Sequence, residues 1–230
     1  MTQLRVVAVV PARDEAGRVG ETVRALRQLE DLHEVVVVDD GSTDGTADEA
    51  SDAGAAVLRL PRRAGKGGAL EAAFGRLAPA HVWMFADADL GMTAGGMAPV
   101  LEEVLGGRAD LAIGMLPPQA NGGLGLVKGF AGTMIRAVSG FHAQAPLSGQ
   151  RVLTAAALAR CRPLAPGFGV ETAMTIDAVR ARLRVVEVPT VLAHHATGRG
   201  PAGFAHRGRQ GWDILRAVVR RVRPRERRPR

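Results

Sequence analysis

Asp87 and Asp89, one residue apart, follow the apolar run Val82–Phe85. Two carboxylates at the end of a buried strand supply hard oxygen donors, the kind that hold Mg2+ or Mn2+. A cation there would bridge a diphosphate and neutralise charge gathering on a departing nucleoside diphosphate. As an isolated pattern Asp-x-Asp also describes ordinary loop aspartates, so its weight comes from its place after the strand. A second acidic cluster, Asp39-Asp40-Gly41-Ser42-Thr43-Asp44-Gly45-Thr46, follows a valine run. Its carboxylates can accept hydrogen bonds from a base N–H or from ribose hydroxyls. The plainer alternative is a turn in which Ser42 or Thr43 caps the next helix. A third cluster, Arg62-Arg63-Ala64-Gly65-Lys66-Gly67-Gly68-Ala69, opens a helix. Its glycines let backbone approach a phosphate, and Lys66 adds a positive charge. The spacing is not that of a P-loop, and a flexible basic loop is the competing reading.

The elements that must position these clusters alternate. Arg5–Pro11, Glu34–Asp39, Ala56–Leu60 and Val82–Phe85 read as strands; Glu15–Leu29, Thr43–Ala53 and Lys66–Leu77 read as helices. Such alternation implies crossover units and a mainly parallel, doubly wound α/β sheet. Ligands of such sheets sit beyond the carboxyl ends of the strands, where all three polar clusters fall. The second half is less regular. Helices are expected over Met97–Leu105, Val127–Ser139 and Val170–Arg182, and strands over Asp110–Gly114 and Val185–Val191. Pro117–Gly125 and Gly198–Gly208 read as glycine-rich loops.

The chain has 230 residues, of which 47% are hydrophobic, enough for a sizeable core. Aromatics make up 3% with no Tyr, which argues against a stacking platform for single-stranded nucleic acid. The lone Cys161 excludes a disulfide framework and a cysteine zinc cluster. The net charge of +7 is unevenly placed: from Arg199 to Arg230, 11 arginines against Asp213 and Glu226 give +9, which leaves −2 for the rest of the chain. A nucleic-acid binder would spread its basic residues over a folded face, so no nucleic-acid partner is expected. Residues 1–209 are therefore read as the catalytic domain and 210–230 as a basic amphipathic helix and tail. That helix either docks its apolar side on the domain or makes a peripheral membrane contact. With no leader pattern at Met1–Arg5 and no apolar run near the roughly 20 residues a span needs, a cytoplasmic location is expected, peripheral to the inner membrane face if the helix binds lipid.

Val9-Val10-Pro11-Ala12-Arg13-Asp14-Glu15, Val37-Val38-Asp39-Asp40-Gly41-Ser42-Thr43-Asp44-Gly45-Thr46, Gly65-Lys66-Gly67 and Asp87-Ala88-Asp89 stand in this order. As a set they resemble family 2 glycosyltransferases of the GT-A fold. The resemblance implies that Pro11, Ala12, Arg13, Glu15, Asp40 and Lys66 hold a UDP- or GDP-type sugar nucleotide, together with Asp87 and Ala88. It implies a divalent cation, Mg2+ or Mn2+, on Asp89. Pro146-Leu147-Ser148-Gly149-Gln150-Arg151 and Gly167-Phe168-Gly169-Val170-Glu171 are similar to the glucosyl-3-phosphoglycerate synthase branch and, more loosely, to polyprenyl-phosphate sugar synthases. That similarity implies an acceptor floor at Leu147, Ser148, Gly149 and Gln150, and catalytic roles for Glu171 and Asp87. It also implies a histidine metal ligand, for which His194 is preferred over His195. On the membrane-contact reading of the tail, the loop Thr197-Gly198-Arg199-Gly200 is expected to close over the donor diphosphate, with Arg199 as a phosphate clamp. The acceptor is left between a polyprenyl phosphate and a small phosphorylated acid, and a homodimer is left open. The alternatives are a sugar-1-phosphate nucleotidyltransferase, whose glycine-rich signature after the first strand is missing here, and an inactive sugar-nucleotide-binding protein.

Overall fold

The computed structural model describes residues 4–117, 125–193 and 212–221. Seven strands form one sheet: β1 Val6–Ala12, β2 Glu34–Asp39, β3 Ala56–Arg59, β4 Val82–Phe85, β5 Leu111–Met115, β6 Arg151–Thr154 and β7 Val185–Pro189. Their order is β3-β2-β1-β4-β6-β5-β7. Parallel ladders join β1 to β2 and β4, β2 to β3, and β5 to β7, while β6 runs antiparallel between β4 and β5. The sheet is thus mixed and mostly parallel. β1 and β2 are valine runs because both of their faces are covered, as in crossover-built sheets. Val6, Ala8 and Val10 pack into one layer, Val7 and Val9 into the other.

Helices α1 Val19–Leu26, α2 Thr46–Asp52, α3 Gly65–Phe74, α4 Ala98–Leu105, α5 Gly125–Ser139, α6 Ala155–Cys161 and α7 Val170–Arg180 flank the sheet, and α8 spans residues 212–221. The N-terminal boundaries shift for physical reasons. α1 begins at Val19, not at Glu15, because Asp14 takes a positive φ of 52° and the Glu15 and Ala16 N–H groups donate to Thr46 and Asp44. α2 begins at Thr46, not at Thr43. Gly45 is its N-cap, with no side-chain cap bond, so neither Ser42 nor Thr43 is the cap; Asp44, just before it, accepts from the Thr46 N–H at 3.0 Å. β6 and α6 are additional to the elements expected from sequence. The amphipathic α8 buries Ile214, Ala217 and Val218 against residues of α5 and α7, while Trp212, Leu215 and Val219 stay exposed.

Candidate active site

Two loops at the carboxyl edge of the sheet are tied by side chains. The Asp14 carboxylate accepts from the Thr43 N–H at 2.8 Å, and Ser42 Oγ accepts from the Asp14 N–H at 3.0 Å. The Thr43 N–H lowers the Asp14 pKa; the Thr46 hydroxyl and backbone do the same for Asp44. Both carboxylates therefore stay charged and keep the Pro11–Glu15 segment pinned to the turn after β2. Asp40, almost fully buried, accepts from the backbone N–H groups of Ala64 and Gly65. It fixes the entry to α3, where Gly65 needs a positive φ of 73°. The three polar clusters thus form one connected edge.

At its centre lies Lys66. Its Nζ is 2.5 Å from Asp87 Oδ1 and 2.8 Å from Glu171 Oε1. Burial alone would depress its pKa, but the charges of Asp87 and Glu171 override that and raise it above the ordinary lysine value. Gln150 clasps Asp87 from the other side: Nε2 donates to Oδ2 at 2.7 Å, and Oε1 accepts from the Asp87 N–H at 3.1 Å. Gly149 is the floor beneath this group. A Cβ there would stand 2.2 Å from Lys66 Nζ and 2.7 Å from Asp87 Oδ1. Lys66, Asp87, Gly149, Gln150 and Glu171, which sequence spacing scatters over about a hundred residues, therefore share one point. Ser148 and Leu147 support the floor from within: the Ser148 hydroxyl donates to the Gly114 carbonyl at 2.6 Å, and Leu147 packs with the α5 and α8 residues.

Asp89 is half-buried beyond Ala88, whose carbonyl accepts from the Thr22 hydroxyl at 2.8 Å. Burial raises the Glu15 pKa; Arg18 opposes that, while Asp89 and Asp87 add to it. Three carboxylates thus feel one another across the crevice. That excess negative charge and the all-oxygen donor set of Asp87 and Asp89 fit a hard divalent cation. Among the described residues no third His, Cys, Asp or Glu joins them in a metal-sized cluster. His194, His195 and Arg199 lie outside the described residues. Pro11, Ala12 and Arg13 stand at the end of β1 and just after it, and Arg13 Nη1 is buried without a hydrogen-bond partner.

Two contributors escaped the sequence reading. Thr22 is a fully buried hydroxyl on the apolar face of α1; it also accepts from the Gly91 N–H and so holds the turn that carries Asp89. A polar residue among Val19, Val23 and Leu26 was the available signal. Arg151 is buried at the start of β6, with its Nε donating to the Ser148 carbonyl at 2.9 Å and its Nη1 to Thr175 Oγ1 at 3.1 Å. Burial pushes its pKa down to about 10, although Glu171 counters this. An arginine heading an apolar strand was its signal.

The family profile described as "Glycosyl transferase family 2" matches residues 7–126. "Glycosyltransferase AglJ" of Haloferax volcanii is 29% identical over 196 residues, which cover 80% of this chain and 62% of that protein. The chain thus spans about three-fifths of the length of this curated relative. Among solved structures, glucosyl-3-phosphoglycerate synthase from Mycobacterium tuberculosis with Mn2+, uridine diphosphate and phosphoglyceric acid aligns with a TM-score of 0.80 at 25% identity, covering 95% of this chain and 78% of that one. The same synthase with Mn2+, uridine diphosphate and glucosyl-3-phosphoglycerate gives 0.75 at 26% identity, covering 95% and 80%. These likenesses identify the mixed sheet as the GT-A fold.

Proposed function

This chain belongs to glycosyl transferase family 2, and from that premise we propose that it moves a sugar from a nucleoside-diphosphate donor to a phosphate-bearing acceptor, with a divalent cation. The observation that carries this reading is Lys66 bridging Asp87 and Glu171 above the Gly149–Gln150 floor. Such a bridge puts one cation and two carboxylates where a sugar diphosphate would lie beyond the strand ends. The tied loops after β1 and β2 would hold the nucleoside through Pro11, Ala12, Arg13, Glu15 and Asp40. Asp87 and Asp89 would hold Mg2+ or Mn2+, with His194 as a further ligand; the ion, when bound, supplies charge neutralisation to the leaving diphosphate. Lys66 would exchange its carboxylate partners for donor phosphate oxygens. Glu171 would orient the sugar, and Arg199 would clamp the diphosphate.

For the acceptor, the solved relatives' complexes with phosphoglyceric acid support a small phosphorylated acid. The exposed Trp212, Leu215 and Val219 on α8 instead support a peripheral membrane contact and a polyprenyl phosphate. No helix among the described residues is long and apolar enough to cross a membrane. The test is release of nucleoside diphosphate from UDP- and GDP-sugars with Mn2+, using each acceptor class in turn. Asp89→Ala should abolish release while leaving the fold intact, and Glu171→Gln should lower kcat more than donor affinity. Undiminished transfer by Asp89→Ala in chelator would sink the metal role. Tight donor binding with no turnover on any acceptor would favour an inactive sugar-nucleotide binder.

A further inference from the structure

On the far side of the segment between α6 and α7 lies a second concavity. It measures about 490 Å3 and is bounded by Arg160, Pro166, Asp177, Arg180, Arg220 and Arg221, among others. Sites for small ligands commonly fall within roughly 300–1,000 Å3. We propose that this cleft binds a phosphate group, carried either by a soluble phosphate ester or by an anionic lipid headgroup.

The charge balance is the first argument. Four guanidinium groups face one carboxylate. That carboxylate is already taken, since Asp177 Oδ2 lies 2.7 Å from Arg221 Nε and 2.6 Å from Nη2. Arg180 donates to the Arg221 carbonyl at 2.6 Å. Among the described residues neither Arg160 nor Arg220 has a carboxylate partner. In sequence, the residues after Arg221 carry Arg223, Arg225, Arg227, Arg228 and Arg230 against Glu226 alone, a net positive charge. Guanidinium forks match phosphate oxygens in geometry as well as in sign.

Connection to the active site is the second argument. Ala165 and Pro166 line the cleft, and on their other side they touch α3. A Cβ on Gly67 would come within 1.9 Å of the Ala165 carbonyl. The same segment continues through Gly167–Gly169 into Glu171, and the Phe168 N–H donates to Asp213 on α8 at 3.2 Å. A ligand held by α6, α7 and α8 would therefore brace the backbone beside both Lys66 and Glu171. The outward Trp212, Leu215 and Val219 of α8 offer an apolar anchor should the phosphate be lipid-borne.

The test compares the full chain with Arg160→Gln/Arg220→Gln and Arg160→Glu/Arg220→Glu, whose folding is checked by circular dichroism. Inorganic pyrophosphate is titrated calorimetrically in chelator, and phosphatidylcholine vesicles with and without phosphatidylglycerol are sedimented at low salt. The expected result is that the glutamine pair weakens pyrophosphate binding by roughly tenfold and the glutamate pair abolishes it. Loss of phosphatidylglycerol-dependent sedimentation in the same variants, relieved by competing pyrophosphate, assigns the phosphate to a lipid; pyrophosphate binding without sedimentation assigns it to a soluble ester. Equal binding by parent and variants, or no binding by the parent, overturns the proposal.

Discussion

Lys66 stands between two carboxylates with its side chain one-fifth exposed, so removing its charge strands two buried or half-buried anions. Breaking a buried pair in this way costs about 3 kcal/mol, near 10 °C in Tm for a chain of this size. Lys66→Met is expected to show that loss by thermal unfolding, with turnover down by about 10²–10³ if it contacts developing charge. The sign of its pH dependence follows from the raised pKa. Its stabilising effect is complete below the ordinary value of 10.5 and fades only as pH rises beyond that. The Tm gap between parent and Lys66→Met should therefore be flat from about pH 6 to 9; a gap closing within that window would contradict the ion-pair account. Glu15 carries the opposite consequence. Its pKa is raised, chiefly by burial, so the ionised form costs stability that the protonated form does not. Glu15→Gln should gain stability relative to the parent as pH rises above the ordinary value of 4.5 and lose that advantage below it, read as Tm curves that converge toward low pH.

At the scale of elements, the contact between α3 and the segment before α7 leaves no space for a side chain at Gly67. Because the opposing atom is a backbone oxygen, Gly67→Ala must tilt the helix. Overpacking of this kind costs about 1–3 kcal/mol, and the tilt should raise donor KM, measured by steady-state kinetics. Gly68→Ala, whose nearest contact is the Ala64 side chain, is the milder control. The sequence announced α3 by its glycines and the strands by their valines, since burial on both faces writes itself as an unbroken apolar run. It did not announce β6 or α6. β6 is four residues long, opens on a charged arginine and flows through Thr154, the N-cap of α6, without a turn residue. Its pairing is set by long-range partners that no local window contains. The helix starts were misplaced because Asp14 and Thr43 bond each other across 29 residues instead of capping locally. Asp87, Gly149, Gln150 and Glu171 were legible through family-like motifs, whereas the hydroxyl of Thr22 and the guanidinium of Arg151 are known only from where the chain places them.

At the scale of the molecule, the alternation of strands and helices revealed the doubly wound plan, while the basic charge beyond Arg199 was the sequence's reason for reading residues 210–230 apart from the rest. How far α8 merges with the core was not written there; a helix that buries Ile214 while exposing Trp212 reads the same docked or free. The placement of β6 has a further consequence, for autonomy. The segment matched by the family profile ends at residue 126, before β6, yet β5 pairs with β6 and β7 and with no strand of the first half. A polypeptide cut at residue 117 would therefore carry β5 as an orphan and leave the apolar Val82–Phe85 strand as a naked edge, a template for intermolecular pairing. Such a fragment should accumulate in inclusion bodies, whereas the four strands and the donor loops it retains should regain solubility when residues 125–230 are supplied as a second polypeptide. Soluble, monomeric behaviour of the fragment alone, by size exclusion, would mean that the recognisable half is a folding unit in its own right. If it is not, the half that names the family is held in solution by the half that does not.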